Sequence, residues 1–415
     1  MLIHADGVVV GDDRALRDGA VVVSRGGEVL DVGEAATLLP KHAGLDKARV
    51  HGVVFPGLVN AHTHIELSAL RGQVPGGKGF VAWVDGFVGH RSEVAEDDER
   101  AAIEEAVKDL EGFGTSAVGD VSNRLTSVRA LHRSGIGGSV FHEVFGVDEA
   151  ALRRSVAALG AMRDEAVGSW PTDDLAYAVA PHTLYTTHPR VVSEIVLHAR
   201  HERAPSTLHL AEHAAERRAL LAGDGPMVDW LMSRTRGAAA QFPWPKMGPI
   251  AFADSLGALG PHVLSVHVTD ASEAELRLMR ERNASVVLCP RSNLYIDLRL
   301  PPLTALLAAG LEPALGTDSL ASNASLDVLA EARALQDRFP TVSAELLLRM
   351  ATWNGACALR RQDLGRIAKG TRPGIVAVLG DLGEGDPCAF LLAHVKAKRS
   401  WVSRRLPGQG EEPMS

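Results

Sequence analysis

From Pro56 onward the chain alternates short apolar runs with amphipathic stretches, and that alternation limits its fold more than any other feature. The first run ends at His62. The others cover 116–121, 138–144, 175–180, 206–210, 263–268, 284–288 and 312–316. Between them, 99–112, 150–167, 190–203 and 273–282 carry helical periodicity. Apolar strands separated by helices pair in parallel, and eight such repeats predict an α/β chain with a (β/α)8 barrel at 56–365. The flanks differ. Residues 7–10, 20–24, 28–33 and 48–54 read as short strands, as do 374–380 and 390–395, with no helical period at the amino end. Neither end can bury a face alone, so residues 1–55 and 366–415 are expected to form one small β-sandwich together, with a frayed tail from about 407.

Polar residues collect at one end of the runs. His62 and His64 end the first, Glu143 lies in the third, His182 follows the fourth, and His209 and Glu212 end the fifth. His267 lies in the sixth, Cys289 to Asn293 follow the seventh, and Asp318 ends the eighth. In parallel barrels, catalytic groups sit at the carboxyl ends of the strands. Because side chains two apart on a strand share a face, His62 and His64 point the same way.

Several imidazoles and one carboxylate at a barrel mouth suit one divalent metal, Zn2+ before Fe2+. His62, His64, His209 and Asp318 are the expected ligands. His267 is either a base beside the metal or an occasional ligand. Glu212, three residues beyond His209, reaches substrate without binding the ion and is the expected general acid or proton shuttle. Asp318 and His267 share the proton traffic. The three cysteines, Cys289, Cys357 and Cys388, lie too far apart to suggest a thiolate site or a disulfide framework.

A formal net charge of -8 without a basic cluster argues against nucleic acid as a partner. No apolar run reaches membrane-spanning length and the amino terminus lacks a leader pattern, so a cytoplasmic protein is expected. Self-association into a homodimer is compatible with the sequence.

The motifs Asn60-Ala61-His62-Thr63-His64, His209-Leu210-Ala211-Glu212, His267, Cys289-Pro290-Arg291-Ser292-Asn293, Leu315-Gly316-Thr317-Asp318-Ser319 and Leu364 to Gly370 resemble the amidohydrolase superfamily. The match is to its branch of nucleobase and nucleoside deaminases and chlorohydrolases. That resemblance implies a mononuclear metal hydrolase, since the fourth run, Ala176 to His182, lacks the lysine that bridges two metals in binuclear relatives. It also implies substrate contact at His182. Pro181-His182-Thr183, His213 and Glu66 are similar to bacterial aminodeoxyfutalosine deaminases of menaquinone synthesis, which convert the 6-amino group of an adenine nucleoside analogue to a carbonyl. The alternatives are deamination of S-adenosylhomocysteine or methylthioadenosine, guanine or a pterin, dechlorination of a triazine, and, remotely, a non-catalytic barrel that only binds. On the resemblance, Glu66, Trp83, Glu143, His182 and Asn293 are candidates for holding base and ribose. Trp83 equally suits simple packing, and Asn293 suits a strand-terminal turn. The glycine-rich segment 72–87 is expected to cover bound substrate.

Overall fold

The computed structural model describes residues 1–168 and 170–404; the expected tail from 407 lies outside them. Among the described residues the strands are β1 Leu2–Val9, β2 Ala15–Val23, β3 Val29–Glu34, β4 Lys47–Pro56, β5 Leu58–Thr63, β6 Thr115–Ser122, β7 Gly137–Val144, β8 Leu175–Pro181, β9 Ser206–Leu210, β10 Val263–His267, β11 Ser285–Leu288, β12 Ala314–Leu315, β13 Ile375–Leu379 and β14 Arg399–Ser403. The strands β5 to β8 form one parallel four-stranded sheet, and β9 to β12 form another. Parallel bridges link their edges, Thr63 to Asp318 on one side and Thr183 to His209 on the other. Each predicted run after the first falls on one of these strands.

The first run divides. Val53 to Pro56 belong to β4 of a separate sheet, and only from Leu58 does the chain enter β5. The break falls at Pro56-Gly57, where a proline without a ladder donor meets a flexible glycine.

Both chain ends enter one six-stranded mixed sheet, in the order β14-β13-β4-β1-β2-β3. Two local expectations fail here. Residues 390–395 were expected as a strand, but Pro387–Ala393 is a helix, capped by Asp386, whose side chain accepts from the Ala389 amide. Its apolar run Phe390-Leu391-Leu392 is buried, and a short buried run carries no period that separates strand from helix. Likewise Ala35–Lys41 is helical despite the lack of amino-terminal periodicity; Ala35 and Leu38 alone turn inward.

A buried ion pair ties this sheet to the α/β core. Arg399 on β14 forks onto Asp327 through Nη1 to Oδ1 (2.7 Å) and Nη2 to Oδ2 (2.8 Å), and also donates to the carbonyls of Phe113 and Val395. Asp327 at the same time caps the helix Val328–Arg338. Truncating one partner strands a buried charge, so Arg399→Met is expected to cost about 3–5 kcal/mol. A clear fall in the melting temperature of the purified protein checks this, and an unchanged value would refute it.

A candidate metal centre and its cavity

The strand ends converge. His62 lies on β5, and Thr317 and Asp318 donate their backbone N–H groups to its carbonyl (2.9 and 3.1 Å). Thr63 Oγ1 returns a bond to the Asp318 carbonyl (3.1 Å), so the first and eighth strands are stitched together at the site. Gly316 permits this closeness, since a Cβ there would meet His62 Cβ and O at 2.8 Å. Asp318, His267 and Ala211 all have positive φ without being glycine (56°, 74° and 50°). Such strain persists where surrounding structure imposes it, here at or just beyond the carboxyl ends of β9, β10 and β12.

One donor atom from each of His62, His64 and His209 lies within 4.8 Å of the others. Asp318 Oδ1 stands 3.6 Å from His64 Nε2 and 3.9 Å from His62 Nε2. Its other oxygen is held by Ser292 Oγ (2.5 Å) and Ser322 Oγ (3.0 Å), which leaves Oδ1 facing the imidazoles. His209 Nδ1 donates to the His182 carbonyl (3.0 Å), so Nε2 keeps its lone pair for the site. There it faces His64 Nε2 at only 3.3 Å.

Burial and the neighbouring imidazoles hold His62 far below its ordinary pKa, and burial takes His64 to about 3 against the pull of Asp318. These rings are therefore neutral near pH 7. Among the described residues neither ring nitrogen of buried His62 has a hydrogen-bond partner. Buried polar atoms are normally paired, so neutral imidazoles with orphaned nitrogens beside a carboxylate fit a divalent ion.

The other predicted residues fall in three groups. Glu212, His182, Glu143 and Trp83 line a cavity of about 700 Å³ that opens from the metal-facing side chains. Glu212 Oε1 lies 3.5 Å from His267 Nε2, and burial, with Asp318 and Glu216 nearby, raises its pKa well above the carboxylate range. A carboxyl kept protonated is a proton donor. Trp83 both packs and faces the cavity, stacked on Phe87 with ring centroids 5.3 Å apart. It sits on a helix, Phe80–Arg91, that forms where a covering loop was expected; Gly79 starts it with φ of +87°. Asp85 of this helix accepts from Trp230 and pairs with Arg234 across the mouth.

Asn293 and Glu66 stand apart from the cavity lining. Asn293 is buried beneath His267, its Nδ2 3.2 Å from the ring Nδ1, and orients that imidazole. Glu66 is buried and accepts from Ser122 Oγ (2.6 Å), the amides of Asn123 and Arg124, and Arg91 Nη2 (2.9 Å). It anchors a loop and the end of the helix Phe80–Arg91, and it is not among the residues that line the cavity. A carboxylate two residues after His64 ends up under the site because the chain turns at once into the buried 3-10 helix Ile65–Leu70. His213, singled out in the sequence, caps the helix Ala214–Ala222, bonds Tyr185 OH (3.2 Å) and stacks on Phe80 at 3.9 Å. Arg91, Asn123, Phe145, Tyr185 and Trp230 also line the cavity and escaped the sequence reading, since no local motif marks them.

The amidohydrolase family profile matches residues 53–400. The chain belongs to the amidohydrolase family. It is therefore a hydrolase of the class acting on C–N bonds, the enzyme type expected from the motifs. A 5-methylthioadenosine/S-adenosylhomocysteine deaminase of Halobacterium salinarum is 32% identical over 408 residues, covering 94% of this chain and 87% of the relative. An aminodeoxyfutalosine deaminase of Deinococcus radiodurans is 28% identical over 366 residues, covering 85% and 84%. The fold is shared with Helicobacter pylori aminofutalosine deaminase solved with methylthio-coformycin, at a TM-score of 0.86, 24% identity, and coverage of 97% and 98%. As in the sequence reading, no helix among the described residues of this amidohydrolase is long and apolar enough to cross a membrane.

Proposed function

We propose that this amidohydrolase is a metal-dependent deaminase of a 6-aminopurine nucleoside, with 6-amino-6-deoxyfutalosine of menaquinone synthesis as the preferred substrate. The observation that carries the reading is Glu212, a buried carboxyl with raised pKa at the floor of a nucleoside-sized cavity, beside neutral imidazoles and Asp318. A bare base or a triazine would leave much of about 700 Å³ unfilled. The outer wall, with Phe80, Phe87, Phe145 and Trp230, suits an apolar arm on the far side of the sugar. Deamination of methylthioadenosine or S-adenosylhomocysteine is the second reading, favoured by the Halobacterium relative.

In this reading His62, His64, His209 and Asp318 hold one divalent ion, Zn2+ before Fe2+. When bound, the ion acts as a Lewis acid that lowers the pKa of water from ~15.7 towards ~7. Glu212 donates its proton to N1 of the purine, making C6 electrophilic. Asp318 and His267 accept one proton of the attacking water and return it to the departing ammonia, and the remaining hydroxyl proton goes back to Glu212 as C6–O becomes the carbonyl. Asn293 and Ser292 keep those two side chains in place. His182, with Nδ1 engaged by Thr186 Oγ1 (2.8 Å), turns its other nitrogen to the base. Trp83 packs along the bound nucleoside.

We also take the two four-stranded sheets as one closed barrel at 56–365, supported by the bridges at both edges, and the six-stranded sheet from 1–55 and 366–404 as the accompanying small β domain. A cytoplasmic location accords with a small-molecule nucleoside as the partner.

Ammonia release by zinc-loaded protein, measured on aminodeoxyfutalosine, adenosine, S-adenosylhomocysteine, methylthioadenosine, guanine and a triazine, tests the proposal. The expected result is a kcat/KM for aminodeoxyfutalosine at least about tenfold above every other member, a difference of about 1.4 kcal/mol in transition-state binding. Preference for methylthioadenosine would install the second reading, whereas turnover of guanine or triazine alone would refute both.

A further inference from the structure

Away from the metal-facing residues the cavity carries a polar seam. Arg91 Nη1 donates to Asn123 Oδ1 (3.3 Å), and Asn123 Nδ2 donates to Glu143 Oε2 (3.1 Å). An amide set between a guanidinium donor and a carboxylate acceptor has a single favourable orientation, so Asn123 locks the other two in register. Glu66 holds Arg91 from behind (2.9 Å). All three seam residues line the cavity.

The seam keeps unused capacity. Glu143 Oε1 accepts no hydrogen bond among the described residues although its residue is only 8% exposed. It lies 3.6 Å from His209 Nδ1, but that N–H is already spent on the His182 carbonyl at 3.0 Å. Orienting His209 therefore does not require Glu143. A buried carboxylate with spare lone pairs, one amide away from a guanidinium with spare donors, is matched by a ligand offering adjacent groups that both donate and accept. A vicinal diol is such a ligand.

We propose that Arg91, Asn123 and Glu143 form a specificity element that reads the vicinal hydroxyls of the sugar in a nucleoside substrate, an inference that rests on the nucleoside reading above. The hydroxyls donate to Glu143 and accept from Arg91. Removing them leaves Glu143 Oε1 buried without a donor and takes an acceptor from Arg91, which is how a polar site rejects a deoxy analogue.

Zinc-loaded wild type is assayed with adenosine and 2′,3′-dideoxyadenosine, and calorimetry measures the binding of both to Glu212→Gln. Wild type is expected to favour the riboside about ten- to hundredfold in kcat/KM, mostly through KM, and Glu143→Gln to reduce the preference below about threefold with metal content unchanged. Arg91→Met should do the same by removing the donor half. Equal wild-type kcat/KM together with equal binding of the two nucleosides would overturn the proposal. So would a Glu143→Gln protein that loses zinc, or whose kcat falls equally on both substrates, because Glu143 would then serve His209. Turnover without discrimination removes the sugar contact and keeps the deaminase. Preferential binding of the riboside without any turnover removes the deaminase and keeps the sugar contact.

Discussion

Glu212→Gln is expected to lower kcat on the preferred nucleoside by about a thousandfold or more, within the upper part of the range for loss of general acid catalysis. The substitution is nearly isosteric and preserves the backbone bonds of the turn, where the Glu212 amide donates to Glu216 Oε2 (2.8 Å). What it removes is the dissociable proton. Burial first, and then Asp318 and Glu216, raise the pKa of the native carboxyl and so favour its protonated form, and a glutamine at the same place cannot deliver a proton to a ring nitrogen. Metal content, measured by elemental analysis, and the far-ultraviolet circular dichroism spectrum should match wild type. A variant that keeps more than about a tenth of the wild-type kcat would remove Glu212 from the chemistry.

Chelation should be nearly as damaging to activity, and it reads out on stability too. Stripping the ion with a chelator is expected to reduce turnover at least about a thousandfold, because lost Lewis acidity costs several kcal/mol, and added zinc should restore it. The same imidazoles that orphan their nitrogens in the fold are the reason for a structural effect. An ion that binds only the native state stabilises it by about 2.7 kcal/mol when present at one hundred times its dissociation constant. Zinc should therefore raise the melting temperature of stripped wild type. In His62→Ala that rise should shrink or vanish, since His62 is the most enclosed donor, with no exposed surface. An equal zinc-dependent rise in both proteins would refute the assigned ligand set whatever the activity.

Much of this site could be read from the chain because its parts are local. A strand end two residues long is enough to turn His62 and His64 to one side, and the alternation of apolar runs and helices brings His209, His267 and Asp318 to the same end of neighbouring strands. The hydrolase class followed from the order of those motifs. Local patterns also misled where they carried no period: the apolar run at Phe390 to Leu392 suits strand or helix equally, and the Asp386 cap decides for helix. The split of Val53 to Val59 between two sheets was likewise invisible, since both halves are buried and apolar.

The sequence by itself determined the parallel α/β plan, the polar ends of its strands and the donor chemistry gathered there. Only the tertiary structure decided which side chains wall the cavity, that Glu66 and Asn293 work from beneath the site, and that Arg91, Asn123 and Glu143 form one seam. The physical reason is distance along the chain. A strand sets its own facing residues within a few positions, whereas the clasp of Asp85 by Trp230 joins residues 145 apart, and contacts of that kind exist only after the core has packed.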